Sequence, residues 1–303
     1  MSDTHRPATA MLWMTGSVAA FTAMAVATRS ISDSHDTFEI LAYRSVFGLV
    51  LVLLLATALG RRDRITARRL PGHALRNGVH FTGQALWFWA LTQIPLAQVF
   101  ALEFTAPIWI ILLSPLLLGE RLTARRLAVA ALGFAGILCV ARPDFAALEP
   151  GVVAAAGCAV FFALSVILTK RLTRDEDLVC ILFWMCLFQT CFGFSLSLAD
   201  GALALPDART LPWLLLIGLA GVTAHLCLTR ALQLAPAAFV GPLDFVRLPL
   251  IALIGALFYD EAIAPGLAFG AALILAGNWL SLRAEKLAPM PQAQGQESMT
   301  RRH

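Results

Sequence analysis

Ten long apolar runs constrain this chain more than any other feature of its sequence. A helix that spans a bilayer needs about 20 mostly apolar residues, and each run is close to that length. The runs are continuous rather than alternating, which favours helices over membrane strands. We predict an all-α membrane protein with ten transmembrane helices, near residues 10–31, 38–59, 77–94, 97–118, 125–142, 150–171, 178–199, 211–230, 237–258 and 264–283.

The composition agrees with a polytopic membrane protein and excludes several other classes. Hydrophobic residues make up 59% of the chain and charged residues only 14%, against about 25% charged in soluble domains. No basic patch with interleaved aromatics is present, so we expect no nucleic-acid partner. The six cysteines lie in apolar runs without a C-x-x-C pair, which predicts no metal site and no disulfide. No phosphate-binding loop is present, and we expect no cofactor.

The basic residues predict the orientation of the helices, because cytoplasmic loops of membrane proteins are rich in Lys and Arg. Of the 23 Lys and Arg residues, 18 fall in segments that are cytoplasmic if the N-terminus is inside, including Arg76. Three fall in the outer segments, and Arg44 and Arg247 fall within helices. Both termini are therefore predicted to be cytoplasmic.

The chain also repeats itself at a fixed offset of 141 residues. The offset aligns residue types that seldom match by chance, namely Gly16 with Gly157, Pro95 with Pro236, Phe104 with Phe245 and Glu120 with Glu261. We predict two five-helix repeats, 10–142 and 150–283, with a cytoplasmic N-terminus at 1–9 and a disordered cytoplasmic tail at 284–303. Because five spans is an odd number, the second repeat is inverted, an arrangement that recurs in secondary transporters.

Several segments resemble a known family over about residues 10–283. They are ALTQIPLAQVFALEFTAPIW, GERLTARR and GFAGILCVARP in the first half, and ALQLAPAAFVGPLDF and LILAGNW in the second. The chain resembles the drug/metabolite transporter superfamily in its EamA-like ten-helix branch. The segment FEILAYRSVFG resembles the family's segment with a buried arginine, here Arg44. One departure is Asp260-Glu261, which lacks the glycine of Gly119-Glu120. The resemblance implies transport of a small solute such as an amino acid, a nucleotide-like metabolite or a vitamin.

Four ionisable residues inside the predicted spans are the main candidates for a functional site, because each costs about 2.5–3.5 kcal/mol to insert. They are Arg44, Glu103, Asp244 and Arg247, whose charges sum to zero. Depth along the helices predicts an outer pair of Arg44 with Glu103 and an inner pair of Asp244 with Arg247. We expect these pairs to flank a central solute cavity. The alternative is that the charges only lock helices together.

Further candidates lie nearby in the sequence. Gln84 and Trp87 can share one face of the third helix and bind solute, although an aromatic belt at the interface is the alternative for this Trp-rich segment. His225 lies in mid-membrane and is a possible proton relay or a packing residue. Pro107 is a possible pivot in the fourth helix. Glu120 is expected to fix a loop rather than touch solute.

These observations predict a multi-pass protein of the bacterial inner membrane that works by alternating access. The expected partners are the lipid bilayer and a small polar or aromatic solute, with a vitamin such as riboflavin or an amino-acid-like compound preferred. The first alternative is an exporter of amino acids or toxic metabolites. An enzyme or a sensor within the membrane is the alternative from another class. Oligomeric state and coupling are open at this point, and a monomer is compatible with the sequence.

Overall fold

The computed structural model describes residues 6–31, 34–94, 96–141, 149–199 and 204–258, with single positions between 266 and 280. All regular structure in this part of the chain is helical. The α-helices are α1 (Pro7–Arg29), α2 (Thr37–Ala58), α3 (Leu70–Gln93), α4 (Leu96–Glu103), α5 (Ala106–Leu118), α6 (Ala124–Ala141), α7 (Pro150–Leu172), α8 (Leu178–Ala199), α9 (Leu211–Leu234), α10 (Ala237–Val240) and α11 (Arg247–Phe258). Short 3-10 helices occupy Arg62–Arg64 and Gly241–Val246.

Five of the described helices are long and apolar enough to cross a membrane: α1, α2, α7, α8 and α9. Helix α5 is apolar but shorter. Helix α3 has 24 residues, yet it carries polar side chains along its length, among them Arg76, His80 and Gln84. The all-helical class is therefore confirmed. Half of the predicted tenth run and the whole 284–303 tail lie outside the described residues.

Two of the predicted continuous helices are broken, and proline explains both breaks. Helix α4 ends at Glu103, and α5 begins at Ala106 with Pro107 in its first turn. Pro107 has no N–H to donate to the carbonyl of Glu103, so an unbroken helix would lose that bond. The prediction of one helix over 237–258 is also wrong, because Gly241–Val246, which contains Pro242, forms a 3-10 helix between α10 and α11.

The third helix begins seven residues earlier than predicted, at Leu70 rather than residue 77. As a result, Arg76 lies inside α3 rather than in the loop before it, and it is only 3% exposed. The guanidinium donates to Thr169 Oγ1 of α7 over 3.0 Å and to Asn77 Oδ1 over 2.8 Å. These hydrogen bonds explain why a long basic residue is tolerated within the bundle.

Side-chain capping fixes the start of two helices at the ends of the bundle. Asp36 accepts hydrogen bonds from the backbone N–H groups of Phe38 and Glu39, while the Glu39 carboxylate accepts from the backbone of Asp36. This reciprocal pattern is a capping box, which satisfies donors that the first turn of α2 would leave unpaired. Glu120 accepts from the backbone N–H of Ala237 over 2.9 Å and so holds the start of α10. The expected structural role of Glu120 is confirmed.

The helices obey the 141-residue offset seen in the sequence. The offset carries α2 onto α8 and α3 onto α9 from end to end, with 22 residues in each member of the first pair and 24 in each member of the second. The most extensive packing joins the two halves, since α1 packs on α9, α3 on α7, and α2 on α8. The first helix of each half thus packs on the third helix of the other, which a twofold relation between the halves would produce.

Candidate functional site

One arginine joins two acidic side chains at the broken helices. Arg247, the first residue of α11, donates from Nη2 to Glu103 Oε1 over 2.9 Å and to Asp244 Oδ2 over 3.0 Å. Glu103 is only 7% exposed. We call Glu103, Asp244 and Arg247 the acidic triad. Its two carboxylates face one guanidinium, so the charges do not balance within the triad if both carboxylates are ionised.

Aromatic rings surround the acidic triad. The indole Nε1 of Trp87 donates to Glu103 Oε2 over 2.7 Å. The Arg247 guanidinium lies over the Phe104 ring at 4.9 Å and over the Phe21 ring at 5.4 Å. Cation–π contacts of this length stabilise a cation that has left water. Trp87 is therefore bonded to the acidic triad, and its role in binding solute stays a prediction.

The predicted pair of Arg44 with Glu103 is wrong, whereas the pair of Asp244 with Arg247 is confirmed. The depth argument assumed straight, continuous helices. The breaks after Glu103 and around Asp244 instead bring these two residues, which occupy equivalent positions in the 141-residue repeat, to the same Arg247 nitrogen. Arg44 takes part in a separate group of residues. Among the described residues, its only hydrogen-bond acceptor is Met24 Sδ at 3.3 Å.

Arg44 lines a cavity between α2, α3, α8 and α9. The polar members of the lining are Arg44, Ser45, His80, Gln189 and His225, and its other members are Gly48, Met185, Cys186, Ile217, Gly218, Gly221 and Val222. The cavity volume is about 20 Å³, which is room for about one water molecule. A solute of metabolite size therefore enters only if these helices separate.

Two histidines connect this cavity to the acidic triad. The His80 and His225 rings meet edge to face at 5.4 Å, and His225 meets Phe21 in the same way at 5.3 Å. Since Phe21 also contacts the Arg247 guanidinium, a continuous series of rings runs from the cavity to the triad. His80 Nδ1 lies 3.3 Å from Ser165 Oγ. These are ring contacts rather than hydrogen bonds, and the role of His225 as a proton relay stays a prediction.

Close packing around the cavity depends on glycine. A Cβ atom added at Gly218 would lie 3.1 Å from the backbone oxygen of Arg44 and 2.9 Å from Phe47 Cβ. Gly48 faces Val222 and Cys186 with equally little space. The absence of side chains here lets α2 approach α9 and α8 closely, which holds the Arg44 backbone against the opposite half.

Pro107 and Gln84 are the remaining predicted site residues. Pro107 is buried at the break that follows Glu103, and its role as a pivot stays a prediction. Gln84 is buried, and its Oε1 atom has no hydrogen-bond partner among the described residues. The sequence prediction missed Gln189, which lines the cavity and donates to the backbone oxygen of Asn77 over 3.4 Å. Its signal is an amide within an apolar run, the same kind of signal that marked Arg44.

Comparison with known proteins shows the family of this chain. The model of the EamA-like transporter family matches the chain twice, at residues 8–142 and 149–283. The chain belongs to the EamA-like transporter family. Together with the apolar helices, this membership identifies the protein as a multi-pass transporter of the bacterial inner membrane.

Curated relatives carry transport names. A riboflavin transporter of Rhizobium johnstonii is 37% identical over 218 residues, or 70% of each chain. A riboflavin transporter of Vibrio cholerae is 30% identical over 91% of this chain and 93% of its own length. An S-adenosylmethionine uptake transporter of Rickettsia felis is 22% identical over 91% of this chain and 93% of its own length. The names of these relatives support a transporter of small metabolites.

One solved crystal structure has a similar fold. It superposes with a TM-score of 0.80 and covers 92% of this chain and 98% of its own. The sequence identity is 21%, so the match supports the fold alone.

Proposed function

We propose that this protein takes up riboflavin, or a closely related planar solute, through the cavity around Arg44. The observation that carries the proposal is how few hydrogen bonds the Arg44 guanidinium makes. It lies within the helix bundle, yet its one hydrogen-bond acceptor among the described residues is the weak acceptor Met24 Sδ. A guanidinium has five N–H donors, so this partly buried side chain has donors left for a bound solute. A solute that offers carbonyl oxygens would supply the missing acceptors.

The other residues of the cavity suit a flat, polar solute. His80 and His225 offer ring faces and ring nitrogens, while Gln189 offers an amide whose Oε1 has no partner among the described residues. A flavin ring system has an aromatic face with carbonyl and amide-like groups along one edge, and these groups match such partners. The riboflavin transporter names of the relatives support the same choice. Family and relatives together favour transport over an enzyme or a sensor.

We propose alternating access between two inverted halves as the mechanism. Ten helices with both termini in the cytoplasm are supported by the repeat, by the exchange of packing partners between the halves and by the positive-inside bias, which stays strong without Arg76. The acidic triad joins α4 of the first half to α11 of the second. The ion pairs of the triad would therefore break or rearrange when a solute separates the halves. Pro107, at the break between α4 and α5, would be the pivot.

Uptake by purified protein in proteoliposomes tests this function. Arg44→Gln keeps a polar side chain but removes the guanidinium, and a hydrogen bond to a charged group contributes about 1.5–3 kcal/mol. We expect riboflavin uptake to fall about tenfold or more, with partial recovery in Arg44→Lys. Arg209→Gln, in the exposed loop before α9, is the matched control and should transport normally.

Competition in the same vesicles discriminates between solutes. Unlabelled riboflavin should block uptake of the labelled vitamin, while S-adenosylmethionine and amino acids should not. Block by S-adenosylmethionine instead would indicate the solute named for the rickettsial relative, whose carboxylate could also pair with Arg44. Normal riboflavin uptake by Arg44→Gln at equal protein levels would contradict the assignment of the cavity. Movement only from the cytoplasmic side would favour the exporter alternative.

A further inference from the structure

A second cluster of reactive side chains lies away from the cavity, at the end of the bundle where α3 and α8 begin. His73 is in the first turn of α3, Cys180 is in the first turn of α8, and Glu176 is in the turn between α7 and α8. One potential ligand atom from each of the three residues lies within 4.8 Å of the others. Solute transport, as derived above, uses none of these residues.

The cluster is buried but incompletely hydrogen-bonded. His73 is 1% exposed and Glu176 is 6% exposed, and Cys180 is fully buried. His73 Nδ1 and Glu176 Oε1 have no hydrogen-bond partner among the described residues. The nearest cation to Glu176 Oε1 is Arg68 Nε at 3.9 Å, which is too long for a hydrogen bond. Buried polar atoms of this kind usually have partners, so Glu176 Oε1 is available to bind an ion.

We propose that His73, Glu176 and Cys180 form a binding site for Zn²⁺. An imidazole nitrogen, a carboxylate oxygen and a thiolate sulfur are the ligand types that this ion prefers. His73 Nε2 lies 3.9 Å from Cys180 Sγ, and ligand bonds of about 2.0–2.3 Å need only a small contraction of that distance. The charges also favour the ion, because one thiolate, one carboxylate and Zn²⁺ sum to zero in a buried place.

The surrounding loop positions the three ligands. The backbone oxygen of Thr66 accepts from Trp184 Nε1 over 2.8 Å and from Cys180 Sγ over 3.3 Å, and Thr66 Oγ1 donates to Glu176 Oε2 over 3.4 Å. Arg69 pairs with Asp175 at 2.6 Å. The loop before α3 is thus fixed against the turn before α8, and the bound ion would add a direct link between the two halves of the chain. A water molecule would complete a tetrahedral site as the fourth ligand.

Cobalt titration of the full-length protein in detergent tests the site. Co²⁺ reports tetrahedral thiolate ligation by a charge-transfer absorption, and Zn²⁺ should displace it. We expect one Co²⁺ per chain and a raised Tm for the loaded protein, since an ion that binds the folded state stabilises it by mass action. Cys180→Ser, His73→Gln and Glu176→Gln should each lose the absorption or weaken Co²⁺ binding at least tenfold.

Cys191→Ser is the matched control, because Cys191 is an exposed cysteine of the same helix. It should bind Co²⁺ as the unaltered protein does. No thiolate absorption in the unaltered protein, or equal absorption in a folded Cys180→Ser variant, would overturn the proposal. Circular dichroism and size-exclusion chromatography establish that each variant is folded. Because metal binding is measured without solute, failure here leaves the proposed riboflavin uptake unaffected, and the reverse also holds.

Discussion

Arg247 donates to Glu103 over 2.9 Å and so joins the first residue of α11 to the last residue of α4, 144 positions apart in the chain. The same nitrogen also binds Asp244, three residues before it. The contact lies where both helices are interrupted. It therefore ties together the two halves at their least regular backbone, which is where a rocking transporter would have to bend.

Replacing Arg247 should damage the fold more than replacing either acid. Arg247→Met leaves two carboxylates without their cation, and loss of one partner from a buried pair costs about 3–5 kcal/mol. Asp244→Asn keeps the pair of Arg247 with Glu103 and should cost much less. The check is the Tm of each purified variant in the same detergent. An equal decrease in Tm for both variants would show that Arg247 stabilises the triad no more than Asp244 does.

Trp87 should influence transport through its single donor to Glu103. Trp87→Phe removes the Nε1–H bond of 2.7 Å while retaining a ring to pack at 5.8 Å from Phe100. A bond to a charged group contributes about 1.5–3 kcal/mol, so uptake should fall about tenfold. The control is Trp213→Phe, an exposed residue of α9. If the two variants transport alike, the indole of Trp87 has only a packing role.

Gly218→Ala should force α9 away from α2. The new methyl group would meet the backbone oxygen of Arg44 at 3.1 Å and Phe47 Cβ at 2.9 Å, and overpacking of this kind costs about 1–3 kcal/mol. We expect a lower Tm and weaker riboflavin binding, measured by solute-induced stabilisation. Gly78→Ala in α3 has open space around the added atom and should be neutral. An unchanged Tm and unchanged riboflavin binding in Gly218→Ala would mean that α2 and α9 can separate slightly at little cost.

If His225 relays protons, replacing it should uncouple solute transport from the proton gradient without preventing solute binding. His225 lines the cavity with His80 and Arg44, and its ring also contacts Phe21 beside the triad. His225→Gln should abolish accumulation driven by a pH gradient but retain exchange of labelled for unlabelled solute. Ser165→Ala, which removes the His80 contact instead, serves as a comparison. Accumulation at the normal level in His225→Gln would restrict this histidine to packing.

The sequence by itself determined the helical class, the repeat and the residue types that matter. Apolar length fixes which segments can cross a bilayer, and the cost of burying charge singles out Arg44, Glu103, Asp244 and Arg247 without any structure. The offset of 141 likewise identified Glu103 and Asp244 as equivalent positions, and α2 and α8 obey it from end to end. These features are local or periodic, so they can be read from the order of residues.

Only the tertiary structure decided which of these residues meet. The sequence paired Arg44 with Glu103 because both lie at a similar depth along ideal helices. The helix interruptions at Glu103 and Asp244 changed that geometry, and Arg44 came to face His80 and His225 instead. His73, Glu176 and Cys180 were equally invisible as a group, because residues more than 100 positions apart approach only when α3 packs beside α8. Partners across a bundle depend on packing between helices, and periodicity along one helix carries no information about it.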